Sequence, residues 1–184
     1  TKQKLTTAHE TLLLVGALCN NARLKTDATL GDPTEGALLV SAAKSGVKYE
    51  QAQNTYKRVD EVPFTSDRKF MSTVHVGKNG YMVAAKGAVE ATIERCTHMI
   101  DTNGKSVLLS KADKKAIMDR NKQLSAKALR VLAFATKESK KELKGEKAIE
   151  KGLTFVGLQA MMDPPREEVV QVIHRVQSEA GMRG

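Results

Sequence analysis

Four junctions between predicted helices and strands carry side chains of the types that bind anions or nucleotides. These junctions are a helix start at Glu35, strand ends at Phe64 and at Lys86-Gly87, and a strand start at Arg130. An aromatic ring can stack on a base, a contact worth roughly 1–3 kcal/mol in nucleic-acid complexes. Lysine and arginine can neutralise phosphates, a carboxylate can accept from an exocyclic amine, and glycine leaves the backbone accessible. The residue types therefore indicate an anion or nucleotide site.

Each of these side chains also has a structural interpretation, which the pattern alone leaves open. Phe64 could be a core residue, and Lys86 could be a surface lysine. Glu35 could complement the helix dipole, and Arg130 could be a salt-bridge partner. The residue types alone are therefore compatible with an anion or nucleotide site and with purely structural roles.

Other kinds of site are not indicated by the sequence. It has neither a Walker P-loop nor a GxGxxG motif. The scattered histidines favour packing or surface positions over catalysis: His9, His75, His98 and His174. Cys96-Thr97-His98 could supply half of a metal site, but no second ligand pair has matching spacing. The two cysteines, Cys19 and Cys96, predict buried free thiols in a reducing compartment.

The composition is typical of a globular protein. The chain has 184 residues, of which 41% are hydrophobic and 28% are charged, enough for one domain or one domain plus part of another. The longest apolar run, residues 11–19, is far shorter than the ~20 residues of a membrane helix. No secretory signal is evident, and the chain does not begin with methionine, so we expect a piece of a longer protein.

The charge predicts an anionic partner, because the net charge is +9. A basic module for RNA or anionic lipid is therefore an alternative to a nucleotide site. The aromatic share of 4%, without tryptophan, argues against a single-stranded nucleic acid. The densest basic stretches, residues 111–122 and 137–147, interleave acidic residues, as solvated helix faces do.

The elements that must position these side chains follow from periodicity and turn residues. Helices are predicted over residues 7–20, 33–46, 49–54, 88–98, 110–128 and 166–180. Strands are predicted over residues 57–64, 106–110, 129–138 and 153–162, with a hairpin over 71–87 that turns at 78–80. Hairpin-linked strands with helices between them favour an α+β fold with a mostly antiparallel sheet.

Two of these helices carry a further prediction about their buried side. In residues 88–98, Val89, Ile93 and Cys96 are expected on one side of the helix. In residues 110–128, Ser110 is expected to cap the helix. The inward-facing residues there are Ala112, Ile117, Leu124 and Ala128.

Five stretches, taken in order, resemble the nucleotide-binding (N) domain of P-type cation-transporting ATPases, especially the calcium-pump branch. They are GDPTEGALL (31–39), EVPFTSDRKFMSTV (61–74), KGAVE (86–90), LRVLAFA (129–135) and MMDPPREEV (161–169). One departure is Val89, where the family usually has proline, but it removes no ligating group. The resemblance implies an antiparallel sheet flanked by helices.

The resemblance also implies a role for each candidate residue. Phe64 would stack on adenine, with Met71 packed beneath the nucleotide. Lys86 would line the adenine pocket, and Gly87 would give the base close access to the backbone. Glu35 would contact the base edge, Lys69 would lie along the nucleotide, and Arg130 would meet the phosphates. Thr34 and Ser66 lie beside these positions and are weaker candidates.

The resemblance further implies the organisation of a parent enzyme. Residues 1–155 would be the nucleotide-binding domain, and residues 156–184 a hinge, centred on 163–166, with the truncated start of the phosphorylation domain. We expect residues 165–184, without the rest of that domain, to be mobile or held by other contacts. The family's DKTGT, TGD and TGE motifs do not occur here.

The expected ligand is therefore ATP, as Mg-ATP in the parent, which this chain would bind but not hydrolyse. The expected partners are the phosphorylation and actuator domains of the same parent chain, and no nucleic acid. The chain would be a cytoplasmic-facing domain of an integral membrane protein, without direct membrane contact of its own. A free-standing ATP hydrolase conflicts with the missing motifs.

Overall fold

A computed structural model describes residues 6–24 and 29–162 of the chain. The helices within these ranges are α1 (Thr7–Leu18), α2 (Pro33–Lys44), α3 (Tyr49–Thr55), α4 (Val89–Arg95), α5 (Lys111–Ser125) and α6 (Glu146–Glu150). The strands are β1 (Arg23–Leu24), β2 (Thr29–Leu30), β3 (Lys57–Thr65), β4 (Phe70–Gly77), β5 (Gly80–Gly87), β6 (Cys96–Ile100), β7 (Ser106–Leu108), β8 (Arg130–Ser139) and β9 (Leu153–Met161).

One seven-stranded sheet organises the described residues, in the order β3-β4-β5-β8-β9-β6-β7. All of its pairings are antiparallel except that of β6 with β9. Strands β1 and β2 form a separate two-stranded ribbon. The predicted α+β class with a mostly antiparallel sheet is confirmed.

Helices cover both faces of this sheet, and each face has its own core. On the α1 face, Met71, Ala84 and Phe134 pack with residues of α1 and α2. On the α4 face, Phe70 and Ala85 pack with residues of α4, α5 and α6. Neighbouring residues of a strand point to opposite faces, so the alternation along β4 separates these two cores.

The central hairpin, β4 with β5, follows the sequence prediction. Gly77 pairs with Gly80 at its end, so that Lys78 and Asn79 form the turn. Gly80 has φ +123, and a Cβ there would lie 2.5 Å from the carbonyl oxygen of Ser139. The turn therefore requires glycine for both conformation and space.

The helix predicted over residues 88–98 is wrong in its last part. Helix α4 ends at Arg95, and Cys96 begins β6, which runs parallel to β9 with Cys96 opposite Leu153. Val89, Ile93 and Cys96 are all buried, as the pattern predicted. Burial at these positions is compatible with a longer helix and with a helix followed by a buried strand. The pairing of β6 with β9 shows that Cys96 belongs to a strand.

The long helix α5 is correctly capped by Ser110 but is shorter and more exposed than predicted. It ends at Ser125, and no residue of it is buried. Ile117 packs partly against the core of the α4 face, whereas Ala112 is exposed. Ala128 lies beyond the helix with φ +56. The side of α5 that faces the core is therefore narrower than the helical spacing of its apolar residues predicted.

The other basic stretch, residues 137–147, is not a helix face. Its first residues continue β8 to Ser139, and α6 begins only at Glu146. Interleaved charges indicate exposure, but they do not indicate secondary structure.

Three further predictions concern the C-terminal part of the chain. The predicted domain boundary after residue 155 falls inside β9, whose pairing with β8 continues to Met161. The predicted hinge at 163–166, the helix over 166–180 and the ordering of 165–184 lie outside the described residues. No helix in the described part of the chain is long and apolar enough to cross a membrane.

Candidate functional site

A cleft of about 680 Å³ opens at one end of the sheet, where β4, β5 and β8 meet the start of α2. All seven candidate residues line it: Glu35, Phe64, Lys69, Met71, Lys86, Gly87 and Arg130. Thr34 also lines the cleft, whereas Ser66 does not. The structure therefore brings together side chains from four separate junctions, while their roles toward a ligand stay predictions.

The floor of the cleft is made by β4 and β5. Met71 lies directly opposite Lys86 in the antiparallel register, so both side chains project on the α1 face. Met71 is 2% exposed and Lys86 is 8% exposed. Lys86 is therefore not a surface lysine, and its ammonium group needs a partner.

That partner is Glu35, in the first turn of α2. The Nζ of Lys86 lies 2.6 Å from Oε1 of Glu35, and both side chains are largely buried. The other carboxylate oxygen, Oε2, accepts a hydrogen bond of 2.9 Å from the backbone N–H of Asn21. Asp32 caps the helix by accepting from the N–H of Glu35 at 3.1 Å. The carboxylate of Glu35 is thus held by β5 and by the segment that follows α1. These two bonds are additional to its favourable interaction with the dipole of α2.

Phe64 stands at the rim, near the end of β3. Its side chain is 58% exposed, in contrast to the core phenylalanines Phe70 and Phe134, which are fully buried. The structural interpretation of Phe64 as a core residue is therefore wrong. An aromatic ring left in water beside a cleft has an open face for stacking.

Lys69 ends the turn between β3 and β4 with an unusual backbone conformation. Its φ is +49, which non-glycine residues adopt at a cost. Its N–H donates to the carbonyl of Thr65 at 2.8 Å, and its own carbonyl accepts from the N–H of Ala88 at 2.9 Å. These bonds hold Lys69 beside the end of β5.

Gly87 is required by the contact that this turn makes. A Cβ at Gly87 would lie 2.5 Å from the carbonyl oxygen of Lys69 and 2.6 Å from Cδ2 of Phe70. The sequence interpretation assigned this glycine to the approach of a ligand. The structure shows that it also admits the chain's own backbone, so Gly87 positions Lys69 as well as lining the cleft.

Arg130 occupies the opposite rim, at the start of β8. Its Nη1 donates to the hydroxyl of Thr34 at 3.2 Å, which joins β8 to the first turn of α2. Its side chain is exposed at the mouth of the cleft. Cations therefore stand on both sides of the opening, at Lys69 and Arg130.

The thiol of Cys19, beneath the floor of the cleft, is buried and protonated. Cys19 is fully buried, and burial raises its pKa to about 11 although Lys86 nearby acts in the opposite direction. Burial likewise raises the pKa of Cys96 to about 12. Both thiols are free, as the sequence predicted, and both stay protonated near neutral pH. Among the described residues, no group of three or more histidine, cysteine, aspartate or glutamate side chains is placed to hold a metal ion.

Sequence reasoning missed part of the lining. The missed residues are Asn21, Gly31, Asp32, Ala88, Val131 and Leu132. In the sequence, Asn20-Asn21 marks only the end of the helix predicted over residues 7–20. Asn20 in fact donates from Nδ2 to the carbonyl of Glu35 at 2.9 Å, so the polar pair ties the end of α1 to the start of α2. Two adjacent asparagines after an apolar helix were the available signal.

Comparison with known proteins points to one family. A family model described as P-type ATPase, cytoplasmic domain N, matches residues 8–168. The chain is 40% identical over 166 residues to calcium-transporting ATPase 1 of Bacillus cereus, which covers 90% of this chain. It is 40% identical over 171 residues to the cation-transporting ATPase pma1 of Synechocystis, also over 90% of this chain. With the calcium-transporting ATPase of Bacillus subtilis it shares 37% identity over 182 residues, or 94% of this chain. The matches span 18% of the length of the first two relatives and 20% of the third.

Proposed function

The chain belongs to the P-type ATPase family, as its cytoplasmic N domain, and on this premise we propose that the cleft binds ATP through the adenine base. The observation that carries the proposal is the exposed ring of Phe64 beside a cleft whose floor holds a buried lysine–glutamate pair. A volume of about 680 Å³ lies within the range of small-molecule sites.

The base would lie between Phe64 and the floor. Stacking on the ring buries an aromatic surface that is otherwise in water, and Met71 offers a polarisable apolar contact from below. Glu35 keeps acceptor capacity beyond its bonds to Lys86 and Asn21, and can accept from the exocyclic amine of adenine. Guanine carries a carbonyl at that position and would face a carboxylate, so the site favours adenine.

The phosphates would extend toward the mouth of the cleft. Lys69 would lie along the nucleotide, and Arg130 would bind phosphate oxygens with its planar guanidinium group. Lys86 is held in the floor by Glu35, so it serves the base end of the ligand. In the parent protein the ligand would be Mg-ATP.

The function of the whole protein is inferred from its relatives. We propose that the parent is an ATP-driven cation pump, and calcium is the proposed ion because relatives bear that name. This domain would present the γ-phosphate to an aspartate of the phosphorylation domain, with the actuator domain as a further partner in the same chain. It would face the cytoplasm, and the 184 residues alone would bind ATP without hydrolysing it.

A basic module for RNA or anionic lipid is the alternative, but the family match does not favour it. Salt distinguishes the two. A polyanion binder loses affinity steeply with salt, whereas a one-nucleotide cleft loses it modestly and discriminates between bases. Sustained ATP turnover by the pure chain would instead support a free-standing hydrolase.

The test is an amide NMR titration of the chain with ATP and then with GTP. We expect saturable shifts at Glu35, Phe64, Lys86 and Arg130, larger for ATP than for GTP. Phe64→Ala and Lys86→Ala should weaken the response to ATP. Diffuse shifts that ignore the base and vanish in moderate salt would overturn the proposal.

A further inference from the structure

A buried carboxylate lies on the face of the sheet opposite the cleft. Glu150 ends α6 and is 4% exposed. Its Oε1 accepts from the hydroxyl of Ser72 at 2.8 Å, and its Oε2 accepts from Nε of Arg95 at 3.2 Å. Ser72 follows Met71 in β4, and neighbouring residues of a strand point to opposite faces of the sheet. Met71 lines the cleft on the α1 face, so Ser72 and the carboxylate of Glu150 lie on the α4 face.

Arg68 connects this carboxylate to the rim of the cleft. It lies in the turn between β3 and β4, and its Nη2 also donates to Oε2 of Glu150. Its Nε donates to Glu146 at 3.1 Å, and its Nη1 donates to the carbonyl of Pro63 at 2.9 Å. One guanidinium group therefore joins α6 to the residue that precedes Phe64.

The backbone at Pro63 and Phe64 needs such a support. Val62 pairs with Ser72 and Thr65 with Phe70, while the register shifts in between. Between these pairs, Pro63 and Phe64 of β3 lie against the single residue Met71 of β4, as in a β-bulge, which re-aims a side chain. The ring of Phe64 is 58% exposed, so packing does not fix it either.

We infer that Arg68, anchored by Glu150, is a positioning residue for the nucleotide cleft: it holds the bulge at Pro63 and so sets the direction of the Phe64 ring. This inference rests on the proposed function. Arg68 touches no base or phosphate in this scheme, because its donors point to Glu150, Glu146 and the Pro63 carbonyl. Its effect on ATP is expected to pass through Phe64, whose preceding carbonyl it holds.

The test is a double-mutant cycle on the dissociation constant for ATP, measured by calorimetry on the 184-residue chain. We expect Arg68→Ala to weaken binding roughly three- to tenfold in the native background, and less than about twofold when Phe64 is already alanine. Arg68→Lys keeps the charge but lacks the fork that reaches three acceptors, so it should behave like Arg68→Ala.

Arg95→Gln is the matched control. Arg95 shares Glu150 with Arg68, but its other hydrogen bond goes to the carbonyl of Ala91 in α4 and not to the turn. Its loss disturbs the same carboxylate and should leave ATP affinity within about twofold of the native value. If Arg68→Ala does not fold, Arg68→Lys and Glu150→Gln take its place in the cycle.

Two results separate the inference from the function on which it rests. If the native chain binds no ATP, or Phe64→Ala has no effect, the proposed function fails. If ATP binds and Phe64→Ala weakens it, but the Arg68 variants bind normally or lose equally in both backgrounds, only the positioning role is overturned.

Discussion

Lys86 and Glu35 form an ion pair in the floor of the cleft, with Nζ 2.6 Å from Oε1 and only 9% and 14% of the two side chains exposed. The pair joins the end of β5 to the start of α2, across 51 positions of sequence. It thus couples the stability of the domain to the geometry of its cleft.

Removing one member of this pair should destabilise the fold. Lys86→Met leaves a largely buried carboxylate without its cation, and we expect a loss of about 2–4 kcal/mol in the free energy of unfolding. The double variant with Glu35→Gln should lose less than the sum of the single changes. Urea denaturation measures both. Lys44→Met, at an exposed position of α2, is the control, and an equal loss there would contradict the prediction.

A tryptophan at position 64 should report the ligand directly. The chain contains no tryptophan, so Phe64→Trp provides a single tryptophan, which can be excited selectively, at the rim. We expect it to retain ATP binding, because the aromatic face is preserved, and to be quenched by stacked adenine more than by guanine. Leu108→Trp, at a 75% exposed position of β7, should show little change. Equal quenching at both positions would exclude stacking at Phe64.

Glycine and alanine at position 69 should differ in their effect on stability but not in their effect on ATP binding. Because its φ is +49, Lys69→Gly relieves a strain that Lys69→Ala keeps. We expect the glycine variant to be about 0.5–1 kcal/mol more stable than the alanine variant after the entropy of the unfolded chain is included. Both variants lack the ammonium group and should bind ATP equally weakly. Thermal unfolding and calorimetry give the two quantities, and a more stable alanine variant would refute the argument.

His75 should make the domain less stable at mildly acidic pH. It is 2% exposed, and burial, assisted by Arg58, lowers its pKa from 6.5 to about 4. Between these values the unfolded chain binds a proton that the folded chain does not, so stability is full above pH 6.5 and falls as the pH is lowered toward 4. From pH 7 to pH 5 the expected loss is about 2 kcal/mol.

The measurement for His75 is chemical denaturation at several pH values, with His75→Gln as the comparison. The variant cannot titrate, so its stability should depend less on pH across this window. Equal slopes for both proteins would show that the histidine is not responsible.

About half of the residues that line the cleft could be named from the sequence, but their interactions could not. Types such as Phe64, Lys86 and Arg130 at element ends predicted a shared location, and the cleft contains them all. The Lys86–Glu35 pair could not be predicted, because charge does not reveal which of several lysines becomes buried. Glu150 shows the same limit: it lies in a highly charged stretch, yet its burial depends on Arg68 and Arg95, far away in sequence.

The fold was predictable where local signals and burial agree. The hairpin of β4 and β5 has alternation, a turn and a required glycine in one segment. Cys96 shows where the prediction fails, because an apolar residue at helical spacing is equally buried in β6. Only the parallel pairing with Leu153 distinguishes the two, and that contact is absent from local sequence.

The bulged edge of the sheet also bears on whether molecules of this domain polymerise. β3 is a terminal strand of the seven-stranded sheet, and such a strand offers unpaired backbone groups onto which another chain can add. Here it carries exposed charges at Lys57, Arg58, Asp60 and Glu61, and Pro63 interrupts its donors. Strand addition from a neighbouring molecule is therefore disfavoured at this edge, next to the aromatic rim of the cleft.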